Sequence, residues 1–193
     1  MEPQADELRW IDAAIQGDHE AFARLVDTYK APVYNVAYRM LRNVSEAEDA
    51  AQEIFLRVYT KLAMYDRHRK FSTWLLSIAS NYCIDVLRRR RATLVDIDEV
   101  AFALPSEAPG PERSALNREQ RESVARAINQ LPDTYRLITV LRYYHDLSYE
   151  EIEHITGLTE ATVKTRLFRA RRQLEELLDA EGALPWTAEP HTS

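Results

Sequence analysis

Apolar positions along this chain recur at steps of three and four, the period of helices with one buried face. Leu8, Ile11 and Ile15 open the pattern. Phe22, Leu25, Val26 and Tyr29 continue it, followed by Val33, Val36, Ala37, Met40 and Leu41. Gly17 reads as a helix stop and Asp18 as the cap of the next helix. Pro32 is expected to start or kink a helix. "SEAE" at Ser45–Glu48 has the form of a capping box, opening a helix to about Leu62 with Ala47, Ala51, Phe55, Val58 and Leu62 on its buried side. After a polar loop, Phe71 and Ser72 read as staple and cap of a helix that ends on four arginines, Arg88 to Arg91.

The pattern then fails. Residues 92–111 hold Asp96, Asp98, Glu99 and Glu107 but no base, with Glu112 just beyond, and Pro105, Pro109, Gly110 and Pro111 deny a regular helix there. Helical spacing resumes at about Leu116, with Val124 and Ile128, and breaks at Pro132. Leu137, Ile138, Val140, Leu141 and Tyr144 mark another helix. No run has useful strand period. The expected fold is all-α: a helical domain at 1–91, an acidic flexible linker at 92–115, a second helical domain at 116–180 and a flexible tail at 181–193.

The most specific local pattern lies in the second domain. Ser148 and Glu151 form a capping box, Ile152 and Ile155 a buried face, Gly157 a turn that Leu158 plugs, and Thr159 a cap. In the next helix Val163, Leu167, Ala170, Leu174 and Leu177 form one stripe. The opposite face shows Thr162, Thr165, Phe168, Arg169 and Arg172, with Lys164 and Arg166 at its margins. A short bracing helix, a tight Gly turn and a basic outward helix make a helix–turn–helix suited to the major groove.

Charge sharpens that reading. The 193 residues carry a net charge of −6, yet Arg67 to Arg91 holds seven basic residues against Asp85 alone, and Lys164 to Arg172 holds five and no acid. Two basic patches on an acidic chain suit a polyanion touched at two places. In the first patch, Trp74, Ser77, Asn81 and Arg88 share one helix side. The preceding loop sets Arg67, Arg69 and Lys70 between Tyr65 and Phe71. Rings that stack, an amide that reads a base edge and arginines that hold a backbone suit single-stranded bases. Away from both patches, Asp49, Gln52, Glu53 and Thr60 surround an unburied Leu56, a face suited to a basic protein partner.

Other classes recede. No apolar run has the length of a membrane span, the N-terminal stretch reads as no export signal, and the single Cys83 fits a reducing cytoplasm. His145, Asp146, Glu150, Glu153 and His154 lie close in sequence but lack a metal-ligand spacing, and no phosphate loop or nucleophile motif occurs. No enzyme, metal site or cofactor is expected.

Three stretches, "SEAEDAAQEIFLRVYTKL", "FSTWLLSIASNYCIDVLRRRR" and "LPDTYRLITVLRYYHDLSYEEIEHITGLTEATVKTRLFRARRQL", with "GDHEAFARLVDTY" before them, resemble the extracytoplasmic-function sigma factors of bacterial RNA polymerase. The likeness runs from about Leu8 to Leu178. It implies a sigma-2-like domain in which Asp49, Gln52, Glu53 and Leu56 bind the β′ clamp helices of core polymerase. It also implies that Asn81 and the loop Tyr65–Phe71 capture a flipped base of the melted −10 element, with Arg88 to Arg91 over promoter phosphates. In a sigma-4-like domain, Lys164, Thr165, Arg166, Phe168 and Arg169 would read the −35 duplex while another surface meets the β flap. The linker would thread the RNA-exit region, where its acids imitate an RNA backbone. The resemblance further implies cytoplasmic action, a role in stress response and control by an anti-sigma factor. Two features depart from it: the loop "DRHRK" is rich in Arg and His, and the tail with Trp186 has no standard counterpart. A stand-alone dimeric helix–turn–helix regulator is the alternative.

Overall fold

The computed structural model describes residues 3–94 and 115–180. The helices are α1 (Pro3–Ile15), α2 (His19–Leu41), α3 (Val44–Lys61), α4 (Phe71–Leu94), α5 (Ala115–Gln130), α6 (Asp133–Tyr144), α7 (Tyr149–Thr156) and α8 (Glu160–Ala180), with one 3-10 turn at Leu62–Met64. There is no strand among the described residues, and the all-α expectation holds. Helix α4 extends three residues past the arginines into the expected linker. The remainder of that linker and the tail at 181–193 lie outside the described residues.

Local signals set most boundaries. Asp18 accepts from the amides of Glu20 (2.9 Å) and Ala21 (3.1 Å). Gly157 ends α7 at φ 69°, a left-handed conformation that glycine adopts without cost. The box at Ser148 is complete, with the hydroxyl accepting from Glu151 N at 3.2 Å and the Glu151 carboxylate accepting from Ser148 N at 2.9 Å.

Three expectations need correction. Helix α4 already begins at Phe71, with Trp74 N donating to Lys70 O, so Ser72 lies inside the helix and is not its cap. The cap of α3 is Asn43, whose side chain accepts from Glu46 N at 3.1 Å, so Ser45 lies already inside the helix. And of the two roles expected of Pro32, a helix start is excluded, since α2 runs through it. An interior proline costs about 3 kcal/mol. Beyond it Val33, Val36, Ala37, Met40 and Leu41 are all buried, at roughly 1.5–3 kcal/mol for each large side chain, so packing outweighs the penalty.

Helix α2 is the hub of the first half, packed on α1, α3 and α4, while α8 gathers α5, α6 and α7 in the second. The two halves also meet, through α4 on α7 and α2 on α6. One apolar cluster runs from Ile11, Leu25, Met40, Ile54 and Leu75 into Ile138, Leu141, Ile152 and Val163. A smaller one joins Ala127, Ile128 and Leu131 to Leu174 and Leu178. The domain boundary expected from sequence is therefore crossed by shared packing. Arginines seal the crossing. Arg136, 3% exposed, donates to Met40 O (3.1 Å) and Leu131 O (2.8 Å). Arg42 donates to Asn129 O at 2.9 Å, and the Arg39 guanidinium lies 3.3 Å from the centre of the Tyr144 ring.

Candidate polymerase and nucleic-acid interfaces

The acidic face lies on α3. Ala47, Ala50, Ile54 and Val58 turn inward. Asp49, Gln52 and Leu56 stand exposed on the other side, Leu56 by 62%. Tyr59, one turn beyond Leu56, is also exposed and enlarges the apolar part of this face. The sequence pattern had not singled it out. Glu53 is half-buried and bound to Arg57 at 2.9 Å, and Arg57 lies over the Tyr82 ring. A basic partner arriving here meets one free carboxylate, Asp49, and one that must exchange partners.

The loop before α4 is built on a knot of rings. Phe71 packs against Tyr29, Tyr65 and Trp74 with centroid separations of 5.2–5.7 Å. Tyr29 anchors the knot to α1 by donating to Glu7 at 3.0 Å. Burial raises the pKa of Glu7 above the usual carboxylate range, and the bond from Tyr29 only partly offsets this. Tyr65 and Phe71 are thus core residues, 9% and 3% exposed, and neither ring is open to stack on a base. This corrects the expectation for both. The Tyr65 hydroxyl donates to Arg69 O, so the ring shapes the loop from beneath. The loop cations are exposed but paired: Arg67 with Asp12 of α1, Arg69 with Asp66 at 3.6 Å, and Lys70 with Glu151 of α7 at 2.9 Å.

On α4, Asn81 and Arg88 are exposed and Trp74 is half-buried. The Ser77 hydroxyl is committed to Trp74 O at 2.7 Å. The four arginines divide. Arg88 and Arg89 face solvent and contact Asp85. Arg90 turns back to Glu46 at the start of α3, and Arg91 reaches Asp133 at the start of α6. Three of the four, Arg88, Arg90 and Arg91, are thus paired with protein acids, Arg88 within its own helix. Cys83 is fully buried, its thiol pushed up to about 12 by desolvation, which leaves it unreactive.

Helix α8 presents the second basic patch. Val163, Leu167, Ala170, Leu174 and Leu178 are buried; the last of these replaces Leu177, which is only half-buried. Thr159 caps the helix, accepting from Thr162 N at 3.3 Å. Thr165, Phe168 (62% exposed), Arg169 and Arg172 face outward, while Thr162 and Arg166 are half-buried. Lys164 is tied to Glu160 at 2.5 Å, which raises its pKa, and Arg172 approaches Glu176 at 3.9 Å. Arg166 and Arg169 have no acidic partner among the described residues. Arg171, which sequence reasoning left aside, donates to the Tyr143 hydroxyl at 2.6 Å and locks α8 to α6.

Two family models match the chain: sigma-70 region 2 over residues 25–93 and sigma-70 region 4 over residues 121–174. The extracytoplasmic-function RNA polymerase sigma factor SigW of Bacillus subtilis is 40% identical over 171 residues, covering 84% of this chain and 91% of that protein. The chain is an extracytoplasmic-function sigma factor. Two solved structures share the fold of this sigma factor. One is CnrH in complex with the cytosolic domain of CnrY, with a TM-score of 0.68, 26% identity and coverage of 92% of this chain and 99% of that one. The other is RpoE in complex with the anti-sigma factor NepR from Bartonella quintana, with a TM-score of 0.71, 24% identity and coverage of 83% and 98%. Sigma factors initiate transcription as subunits of RNA polymerase and perform no chemistry of their own. Every interface above therefore belongs to a binding protein. No described helix is long and apolar enough to cross a membrane.

Proposed function

We propose that this sigma factor brings core RNA polymerase to promoters whose −35 duplex it reads with α8 and whose melted −10 strand it holds on α4 and the loop before it. The observation that carries this is the outward face of α8: Phe168 is exposed there, and Arg166 and Arg169 have no acidic partner among the described residues, on a helix packed against the short α7. A guanidinium fork reads guanine edges, and an exposed ring suits the thymine methyl. Lys164 and Arg172, each beside an acid of its own helix, suit phosphate positioning. On α4, Asn81 supplies the amide for an exposed base edge, and Arg88 and Arg89 supply backbone contacts.

Asp49, Gln52, Glu53 and Leu56 dock on the β′ clamp helices, with Tyr59 extending the surface, and the second half of the chain also meets the β flap. The protein acts in the cytoplasm. An anti-sigma factor holds it inactive. The relative CnrH, solved with the cytosolic domain of another protein, supports such a partner. Transcription by purified core polymerase from a library of promoter fragments tests the reading. The expected result is sequence-specific transcripts that depend on the added protein. A stand-alone regulator would bind duplex DNA as a dimer and yield none, and it leaves the α3 face without a use.

A further inference from the structure

Glu7 of α1 takes no part in the interfaces above, yet it stands half-buried. Both of its carboxylate oxygens accept from the Tyr29 hydroxyl, at 3.0 and 3.2 Å. Burial raises the pKa of this carboxyl in spite of that bond. Desolvation, then the neighbouring Glu7, raise the Tyr29 phenol above its ordinary range, so it remains a donor at neutral pH.

The bond leads to the loop before α4. The Tyr29 ring meets Phe71 edge-on at 5.3 Å, and Phe71 meets Tyr65 edge-on at 5.2 Å. The Tyr65 hydroxyl donates to Arg69 O. Between these rings the loop makes one tight turn, with Arg69 N donating to Asp66 O at 3.1 Å and His68 N to Asp66 Oδ1 at 3.0 Å. Residues 66–70 are all exposed, so the core holds the loop by its two ends, Tyr65 and Phe71. Helix α1 is in touch with it twice more: it packs on the 3-10 turn from which the loop leaves, and Asp12 pairs with Arg67.

We propose that Glu7 is a positioning residue for the −10 loop: through Tyr29 and Phe71 it fixes the rings at both ends of Asp66–Lys70, and with them the register in which the loop meets the melted strand. A base edge is read through hydrogen bonds of about 3 Å that weaken steeply with angle, so a loop free to shift reads less selectively. The role in selectivity rests on the promoter reading. The bracing of the loop does not.

The test uses the full chain. Tyr29→Phe removes the donor and keeps the ring, Glu7→Ala removes the acceptor, and Glu7→Gln keeps one. Without DNA, amide hydrogen exchange at Arg69 and Trp74, whose N–H groups donate to Asp66 O and Lys70 O, should quicken about tenfold in Tyr29→Phe and in Glu7→Ala. That is the scale of one hydrogen bond to a charged group. The double variant should be no faster than either alone. Glu7→Gln should stay near wild type, and exchange at Val163 in α8 should not change. In holoenzyme reconstituted with core polymerase, transcripts from fragments randomised in the −10 or, separately, in the −35 element report preference. Preference for the best over the median −10 sequence should fall about three- to tenfold in Tyr29→Phe and Glu7→Ala, the part of the lost bond that reaches the strand. It should be kept in Glu7→Gln, and the −35 preference kept in all three. Unchanged exchange at the loop overturns the brace. Faster exchange with an intact −10 preference overturns the positioning role, and so does a fall of both preferences together, which marks a defect of the whole fold. A wild-type protein with no −10 preference overturns the promoter reading and the positioning role with it, while exchange still decides the brace.

Discussion

Replacing Arg136 by methionine should cost about 3–4 kcal/mol of folding stability. The guanidinium is 3% exposed and donates to three carbonyls: Leu131 at 2.8 Å, Met40 at 3.1 Å and Asn129 at 3.3 Å. Met40 lies in the last turn of α2, and Asn129 and Leu131 lie at the end of α5, so each carbonyl falls where a helix runs out of its own donors. One cation therefore closes two helix C-termini, where a positive charge is also favoured by both dipoles. Burial, then repulsion from Arg42 and Arg91, draws its pKa down to about 10, which still leaves it charged at neutral pH. Methionine fills the volume but strands the carbonyls, and Asp133 keeps only Arg91. Breaking a buried charged network in this way costs about 3–5 kcal/mol, and the surviving Arg91 pair argues for the lower part of that range. Set against the 5–15 kcal/mol typical of a folded protein, the loss is large, equivalent to about 10 °C in Tm for a chain of this size. Lysine keeps the charge but cannot reach three carbonyls at once, so Arg136→Lys should lose about half as much. Urea titration followed by far-ultraviolet circular dichroism measures both. A loss below ~1 kcal/mol for Arg136→Met, or wild-type stability for Arg136→Lys, refutes the double-cap argument.

Acid should loosen the protein through His145, whose pKa is lowered to about 4 by burial and by Arg39 beside it. The folded state binds this proton less tightly than the unfolded chain, so stability is whole above pH 6.5 and falls as pH drops toward 4. The total is up to about 3 kcal/mol, and His145→Gln should flatten that slope in urea titrations at stepped pH. Asp49→Lys with Glu53→Lys should abolish co-purification with core polymerase and leave helix content unchanged. Retained binding would remove the α3 face from the interface. In the recognition helix, Arg169→Ala should relax preference at one or two −35 positions, by about 1–3 kcal/mol of discrimination. Lys164→Ala should weaken binding to all sequences alike and reduce the salt slope by about one phosphate contact. Selection from a randomised −35 library at two salt concentrations separates them, and the reverse outcome would mean that the helix lies differently in the groove.

Sequence made the helices and several of their ends readable because those signals are local. Gly17, Asp18, the Ser148–Glu151 box and Gly157 act within one turn, and the structure keeps each of them. The stripe of α8 was readable for the same reason, apart from Leu178 in place of Leu177. What periodicity does not carry is the identity of a partner far along the chain. Tyr65 and Phe71 beside a basic loop look like a stacking platform, yet Tyr29, some forty residues earlier, recruits Phe71 into a core knot. Pro32 reads as a start or a kink because its cost is local, while the packing that carries α2 through it is not. The arginines were the least legible. Arg90 and Arg91 continue a run that points to solvent, but their long side chains let them turn back to Glu46 and Asp133. Arg136 shows no pattern at all until α2 and α5 end against it.

The paired loop cations bear on how binding to a nucleic acid would be measured. A free lysine or arginine that meets a phosphate sends a condensed small cation into solution, which is what makes such binding fall with salt. At this loop Asp12, Asp66 and Glu151 already serve Arg67, Arg69 and Lys70 as built-in counterions. Each carboxylate set free by an arriving strand gathers small cations of its own, so the net release is less than one per contact. Counting the basic residues of the loop will therefore overstate its salt slope. A shallow slope at this surface is compatible with close contact between the loop and the strand.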